Sequence, residues 1–260
     1  MTRIKRIKQI GRLLLSMVLV AGLFAAGISS AKHRKSIPIE EVSVLIDYDR
    51  GVSFVDEAEI LSSLELAHGA PISMEGMGEI DPKGLENSLA QNPFVENAEV
   101  FAGQDGILYV QIAQKQPILR IINTEGVSYY LSDQGDKIPL SDKFTPKVLV
   151  ATGYVERGLN GLHPGEETML KNLLEMTALI NSDQFFESLI DQVHVQEDAS
   201  LVLVPKLGCR EIHIGRFDDQ IESSMEKLKL FYQEGLTNVG VNRYRKIDLR
   251  LNDQIVCTKK

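Results

Sequence analysis

Residues 41–114 have a pattern of apolar and polar positions that predicts a small β-α-α-β-β unit. Val42, Val44 and Ile46 alternate with other residues, as in a strand, and residues 54–66 have apolar positions at helical spacing. Asp81 followed by Pro82 is a typical helix start. Segments 95–101 and 107–113 then predict two strands joined by a turn at 103–106. The apolar positions of the two helices are Phe54, Ala58, Leu61 and Leu64, and Leu85 and Leu89. Packing both helices on one face of a three-stranded sheet would bury these positions.

Residues 115–260 predict a larger α+β unit with a mostly antiparallel sheet and two helices. One helix is expected to begin at Pro164, and the other to cover residues 218–233 and end at Gly235. Strands are expected at 118–122, 128–131, 147–151, 191–195, 201–204, 211–214, 246–251 and 255–257. The apolar helix positions are Met169, Leu170, Leu173, Leu174, Thr177 and Ile180, and Ile221, Met225, Leu228 and Tyr232. In segment 246–251, alternation predicts that Ile247, Leu249 and Leu251 point inward.

An uncharged apolar segment at residues 13–31 predicts a transmembrane anchor. As a helix these 19 residues would span about 28 Å, close to the thickness of a bilayer core. Five basic residues precede the segment, which favours a cytoplasmic tail at residues 1–12 and an extracytoplasmic body after a linker at 32–40. The alternative is a cleaved signal peptide, since Ser29 and Ala31 have the spacing of a cleavage site. The apolar anchor positions include Leu13, Leu19, Leu23, Phe24 and Ile28.

Charge is distributed unevenly along the chain and excludes nucleic acid as a partner. Residues 1–35 hold eight of the 28 basic residues and none of the 36 acidic ones. Residues 36–260 therefore carry 20 basic and 36 acidic side chains, a net charge of −16. Nucleic-acid affinity depends on neutralising phosphates, which an acidic body cannot do. Such a body suits a soluble domain, or one whose partners are basic.

Four segments together resemble the bacterial cell-division family FtsQ, called DivIB in other bacteria. They are NPFVENAEV followed by GILYVQIAQKQPILRI; YYLSDQGDKIPLS followed by VLVATG; LVLVPKLGCREIHIG followed by a helix ending in KLKLFYQEGL; and YRKIDLRLNDQIVC. The resemblance covers essentially the whole chain. It implies a POTRA domain at 41–114 and an FtsQ-type β domain at 115–260, behind a retained anchor in the inner membrane.

The resemblance also implies a function without catalysis. FtsQ-like proteins are scaffolds of the division machinery that bind two small single-pass coiled-coil proteins, FtsB and FtsL, without cofactor or small-molecule substrate. The main contact is expected at an edge strand near the C-terminus, here 244–251. The residues carried over are Tyr244, Ile247, Asp248, Leu249, Arg250 and Leu251, with Ile255 and Val256 in the tail. Leu251 stands where family members place an aromatic residue. An ordinary interior strand with one solvated face is the alternative for this segment.

Candidate catalytic and metal-binding residues are few. The common hydrolase, metalloprotease and nucleotide-binding motifs do not occur. His163 with Glu166 and Glu167 could bind a metal, but acidic residues in a first helical turn behind a proline are more typical of a stabilised helix start. His194 and His213 are expected to be surface or half-buried strand residues rather than ligands.

Two further sets of residues leave alternatives open. Lys206, Arg210 and Arg216 are either a solvated face or a basic patch for an acidic partner. Cys209 and Cys257, 48 residues apart, could form a disulfide or lie as small side chains in neighbouring strands. Two other functions also compete with a division scaffold: a POTRA-bearing component of outer-membrane assembly or secretion, and a secreted enzyme with a cleaved signal.

Overall fold

A computed structural model describes residues 38–48, 51–72, 76–103, 105–155, 166–236, 240, 242–251 and 254–260. The chain divides into two units at the boundary between Gln114 and Lys115. Most of the expected N-terminal tail, anchor and linker, and the expected helix start at Pro164, lie outside the described residues. Within the described part of the chain, every helix is too short or too polar to cross a bilayer.

The first unit has the predicted β-α-α-β-β order. Its elements are β1 (Glu41–Ile46), α1 (Glu57–His68), α2 (Pro82–Leu89), β2 (Val95–Ala102) and β3 (Ile107–Gln114). The strands lie in the order β1-β3-β2, with β1 parallel to β3 and β2 antiparallel to it. Ile39, placed in the linker by the sequence, is buried in this unit's core, and Pro38 forms a bridge to Gly76.

Helix α1 begins later than its apolar pattern suggests, and this corrects which residues it buries. Asp56 is the N-cap, and its carboxylate accepts a hydrogen bond from the Glu59 N–H at 2.9 Å. The helix buries Ile60 and Leu64. Of the other expected apolar positions, Ala58 is exposed, Leu61 is half-buried, and Phe54 is buried but precedes the helix. Helix α2 buries Leu85 and Leu89 as predicted, although the Asp81 carboxylate does not cap it.

Gln114, at the end of β3, connects several segments of the first unit through its buried side chain. Its Oε1 accepts hydrogen bonds from the N–H groups of Phe54 and Val55 at 2.7 and 3.2 Å. Its Nε2 donates to the carbonyl oxygens of Asp47 and Val52 at 2.9 and 3.1 Å. One amide therefore ties the chain after β1 and before α1 to the central strand.

The second unit is a mixed sheet with helices, as predicted in outline. Its strands are β4 (Pro117–Asn123), β5 (Ser128–Ser132), β6 (Lys137–Ile138), β7 (Leu149–Gly153), β8 (Ile190–Val195), β9 (Leu201–Pro205), β10 (Glu211–Gly215), β11 (Tyr244–Asp248) and β12 (Val256–Lys259). The sheet order is β12-β11-β10-β9-β8-β7-β4-β5-β6. Pairs β4–β7, β7–β8 and β10–β11 are parallel, and the other five pairs are antiparallel.

The expectation of two helices in this unit is wrong, because a short third helix is present. The described helices are α3 (Glu166–Asn181), α4 (Gln184–Leu189) and α5 (Ile221–Leu230), and α5 continues into a π-helical turn, Phe231–Gly235. Asp183 caps α4 by accepting a hydrogen bond from the Phe185 N–H. The apolar residues of α3 and α5 pack with the sheet in one core.

Candidate protein-binding site

The edge strand formed by the C-terminal part of the chain is β12, and not segment 244–251, where the sequence predicted the edge. β11 is paired on both sides, parallel to β10 and antiparallel to β12. Segment 244–251 is therefore an interior strand that ends at Asp248 and continues as a loop. Within the described residues, no strand pairs with the outer side of β12. An edge of this kind exposes backbone donors and acceptors to an incoming strand.

The hydrogen-bond alternation along β12 identifies which backbone groups face outward. The Lys260 N–H donates to the Arg243 carbonyl at 3.3 Å. Residues of an antiparallel strand point their N–H and C=O groups alternately to its two sides. Thr258 and Val256 therefore direct their backbone groups to β11, and Cys257 and Lys259 direct theirs to the open edge. The bulge in this ladder lies on β11, between Tyr244 and Lys246, so the alternation along β12 is uninterrupted.

Several of the expected partner contacts are instead part of the core. Ile247 and Leu249 are buried, so neither can touch a partner directly. Ile255 and Cys257 are half-buried and pack against the same core. The inward orientation expected for Leu251 is wrong, because the strand has already ended, and the side chain is 47% exposed. Val256 is 44% exposed.

Asp248, the last residue of β11, forms an ion pair with Arg250 in the loop that follows. Arg250 donates from Nε and Nη2 to the two carboxylate oxygens of Asp248, at 2.9 and 2.6 Å. Lys246 Nζ lies 3.6 Å from the same carboxylate. The Arg250 hydrogen bonds hold the pKa of Asp248 down at about 2, against the effect of burial. The pair carries no net charge and fixes the start of the loop.

Tyr244 lies where the π-helical turn meets the edge of the sheet. Its ring is half-buried, and its centroid is 6.2 Å from that of Phe231. A π-turn carries one residue more than an α-turn, and such turns are often found at functional sites. Here Phe231, the first residue of the turn, packs against the ring of Tyr244, the first residue of β11.

The chain around this edge is basic, although the body of the protein is acidic. Residues 243–260 contain six Lys or Arg and two Asp, a net charge of +4. Arg243, Arg245 and Lys259 are exposed. Arg210 is exposed too, and its N–H donates to the Arg245 carbonyl at 2.8 Å, which places it beside the bulge. A partner that pairs with β12 therefore meets positive charge.

Of the two alternatives for Lys206, Arg210 and Arg216, a single basic patch does not form. Arg210 and Arg216 lie at opposite ends of β10. Lys206 Nζ donates to the Glu187 carbonyl, and Arg216 Nε donates to the Asp198 carbonyl. Arg216 and Lys206 thus hold loops in place, and Arg210 lies next to β11, on the side away from β12.

The strand register argues against a disulfide between Cys209 and Cys257, and both are free thiols in this structure. Cys257 is opposite Ile247 on β11, and Cys209 precedes β10 on the far side of β11. Two strand spacings separate them, roughly 9.5 Å, before any offset along the strands is counted. A disulfide needs Cα atoms within about 7 Å. Burial raises the pKa of both thiols.

The two strand histidines, His194 and His213, have protein partners within their own sheet. The ring of half-buried His194 is 2.9 Å from the Thr152 hydroxyl. The buried His213 ring is 2.9 Å from a carboxylate oxygen of Glu211, and this contact lowers the pKa of Glu211. The part of the chain that the structure describes brings no three His, Cys, Asp or Glu side chains together as a metal site. His163 and the side chains of Glu166 and Glu167 are outside that part.

Comparisons with known proteins agree with the two units. A family model described as "FtsQ/DivIB, C-terminal related" matches residues 116–258, and a model described as a POTRA-like domain matches residues 39–113. A curated protein from Geotalea daltonii, named "Cell division protein FtsQ", is 27% identical over 187 residues. That alignment covers 71% of this chain and 66% of the relative, so it spans slightly less than two thirds of the relative's length.

Proposed function

We propose, since this chain belongs to the FtsQ/DivIB family, that it is a non-enzymatic scaffold of the bacterial cell-division machinery. Residues 13–31 would anchor it in the inner membrane with residues 1–12 in the cytoplasm, and both described units would lie outside the cytoplasm. The observation that carries the proposal is the match to the family model across 116–258, the unit that ends in the open strand β12.

The proposed partners are FtsB-like and FtsL-like single-pass coiled-coil proteins, bound by strand addition. A segment of one partner would pair with β12 and satisfy the outward backbone groups of Cys257 and Lys259. The net charge of +4 on residues 243–260 favours a partner strand with acidic side chains. Charge of opposite sign would also speed the encounter and fix the register.

Backbone pairing alone is too weak for this role, so exposed side chains must contribute. The two outward residues offer four backbone groups, worth about 2–6 kcal/mol in total at about 0.5–1.5 kcal/mol per hydrogen bond. A complex with a Kd of about 1 μM needs about 8 kcal/mol. Leu251 and Val256 are the exposed apolar side chains beside the strand and would supply the difference. Ile247 and Leu249 would act by holding β11, and Asp248 and Arg250 by fixing the loop.

The experiment uses the full-length chain in mild detergent, with the FtsB-like and FtsL-like proteins of the same bacterium. Lys259→Pro removes an outward N–H and leaves the pairing with β11 in place, whereas Lys259→Gln removes the charge and keeps the N–H. Leu251→Asp tests the side-chain contact. Its matched control is Leu207→Asp, at an exposed leucine in the turn between β9 and β10. Ile255 is unsuitable for this test, because its half-buried side chain also supports the core.

We expect Leu251→Asp to raise the Kd at least tenfold, and Lys259→Pro to raise it about two- to tenfold, above the Kd of their controls. The same two variants should fail to restore division in cells depleted of the protein. If both variants bind like wild type, strand addition at β12 is wrong. If the wild-type chain recovers outer-membrane assembly proteins and neither coiled-coil protein, the division role is wrong as well.

A further inference from the structure

The outer face of the first sheet carries large exposed apolar side chains among its polar residues. A sheet covered by helices on one face normally turns polar residues to the other. Helices α1 and α2 bury the inner face, with core residues such as Val110 and Ile112. On the other face Leu45 is 63% exposed and Phe101 is 43% exposed, and Tyr48, just after β1, is 50% exposed. None of these side chains is needed for the core of the unit.

Two aromatic residues form a rigid platform on this face. Phe101 and Tyr109 are directly opposite each other on β2 and β3, and their rings stack with centroids 5.3 Å apart. The Tyr109 hydroxyl donates to a carboxylate oxygen of Asp105 at 2.8 Å. This hydrogen bond raises the pKa of Tyr109 and lowers that of Asp105. The platform is therefore pre-ordered and has a carboxylate at its rim.

A shallow depression lies beside the platform across all three strands. Its volume is about 460 Å³, and its lining includes Leu45, Tyr48, Glu99, Gln111 and Ala113. Leu45, Gln111 and Glu99 are in register with one another on β1, β3 and β2. Gln111 and Ala113 of the central strand β3 form the floor of the depression. Leu45 and Tyr48 form an apolar wall on one side, and Glu99 forms an acidic wall on the other.

The charge of this unit identifies the chemistry of an occupant. Residues 38–114 contain 15 Asp or Glu and two Lys or Arg, a net charge of −13. Residues 115–260 contain 21 acidic and 18 basic residues, a net charge of −3, so the first unit carries most of the negative charge. Its two basic residues are Arg50 and Lys83, and Lys83 is on α2, which covers the inner face. An occupant of the outer face therefore meets carboxylates and apolar side chains together.

We propose that the outer face of the first sheet, defined by Leu45, Tyr48, Glu99, Phe101 and Tyr109, docks a cationic amphipathic helix of another protein. The apolar stripe of the helix contacts Leu45 and the aromatic platform, and its flanking Lys or Arg side chains lie over the carboxylates. This surface belongs to the first unit and does not involve β12, so it is independent of the function proposed above.

The dimensions of the face suit a helix. Leu45 and Phe101 are two strands and two residues apart, which is roughly 12 Å. Apolar positions i and i+7 of an α-helix are about 10.5 Å apart along its axis, so one stripe reaches both. Strand addition at the nearby edge of β2 is hindered, because Glu86 Oε1 already accepts from the Val100 N–H at 2.9 Å. An anionic lipid surface would repel a unit of this charge.

The test measures binding of a fluorescent peptide to the full-length chain in nanodiscs of zwitterionic phospholipid, by anisotropy. The probe is an 18-residue Leu/Lys/Ala peptide with its leucines on one helical face. One control peptide has the same composition in scrambled order, and another carries Glu in place of Lys. Empty nanodiscs give the lipid background. The variant Leu45→Asn with Phe101→Asn removes apolar contacts from the face, and Leu66→Asn is its control, at an exposed leucine on α1. Glu99→Lys and Glu57→Lys form the matched charge pair.

We expect the double variant and Glu99→Lys each to raise the Kd of the amphipathic probe at least tenfold. Leu66→Asn and Glu57→Lys should change the Kd by less than threefold, and the scrambled and acidic peptides should bind at least tenfold more weakly. Equal effects of face and control variants would mean that binding is a general attraction to net charge, which overturns the proposal. Equal binding of the probe to empty nanodiscs, or no binding at all, overturns it too.

Discussion

Replacing Gln114 by leucine tests how much one buried amide contributes to the stability of the first unit. Leucine has nearly the volume of glutamine but removes the four hydrogen bonds to backbone groups described above. Each lost bond leaves a buried or partly buried group with one partner fewer, at a cost of about 1–3 kcal/mol where the group stays unsatisfied. We expect the free energy of unfolding of this unit to fall by about 3–6 kcal/mol. A unit of this size has about 4–12 kcal/mol in total, so the variant would be marginal.

Hydrogen exchange read by mass spectrometry on the full-length chain measures this loss. The slowest amides of β1 and β3 should exchange about 10²–10⁴ times faster in Gln114→Leu, since each 1.4 kcal/mol is a factor of ten. Gln91→Leu is the control, because Gln91 is exposed and its Nε2 lies 3.4 Å from the Asn87 carbonyl. Its effect should stay below about threefold. An acceleration of less than tenfold in Gln114→Leu would refute the reasoning.

Three further outcomes follow from the described contacts. Asp248→Asn should weaken the protection of the β12 amides from exchange at pH 6 by about 1–2 kcal/mol. The folded pKa of Asp248, about 2, lies below the ordinary value of a carboxyl group, so wild type keeps this stability above about pH 4 and loses it between pH 4 and 2. The variant should show no such loss. Leu64→Ala should lower the free energy of unfolding of the first unit by about 2–4 kcal/mol, while Leu66→Ala, exposed on the same helix, should change it by less than about 0.5 kcal/mol, both read by hydrogen exchange. Peptide mapping without reductant should find both cysteines alkylated, with Cys257 reacting faster than buried Cys209; a Cys209–Cys257 cross-link would contradict the register.

The sequence was sufficient to predict helices and strands whose apolar residues recur at a regular helical or strand spacing. The alternation in segments 95–101 and 107–113 gave β2 and β3, and Pro82 with Leu85 and Leu89 placed α2 correctly. These signals are local, since each is set by side chains within one helix or strand. Helix α1 was misplaced because its start depends on the Asp56 cap and not on the apolar pattern that begins at Phe54.

The sequence could not reveal features that depend on pairing between distant segments or on very short elements. Helix α4 has six residues and β6 has two, too few for a periodic pattern. Whether β11 or β12 is the edge depends on how the last segment folds back, and both segments have strand-like composition. The role of Gln114 was missed because a single polar residue at a strand end gives no periodic signal; its position in phase with Val110 and Ile112 was the available clue.

The basic character of the β12 edge also bears on self-association. An open strand can pair with the same strand of a second copy, which is a common route to aggregation. Two copies paired in parallel would place Lys259 and Lys260 of each chain about one strand spacing, roughly 5 Å, from the same lysines of the other, and two copies paired antiparallel would still bring together two edges that each carry a net charge of +4. Like charges directly opposite each other destabilise strand pairing. The same lysines that attract an acidic strand therefore keep copies of the chain apart, and the edge stays available even where the protein is crowded.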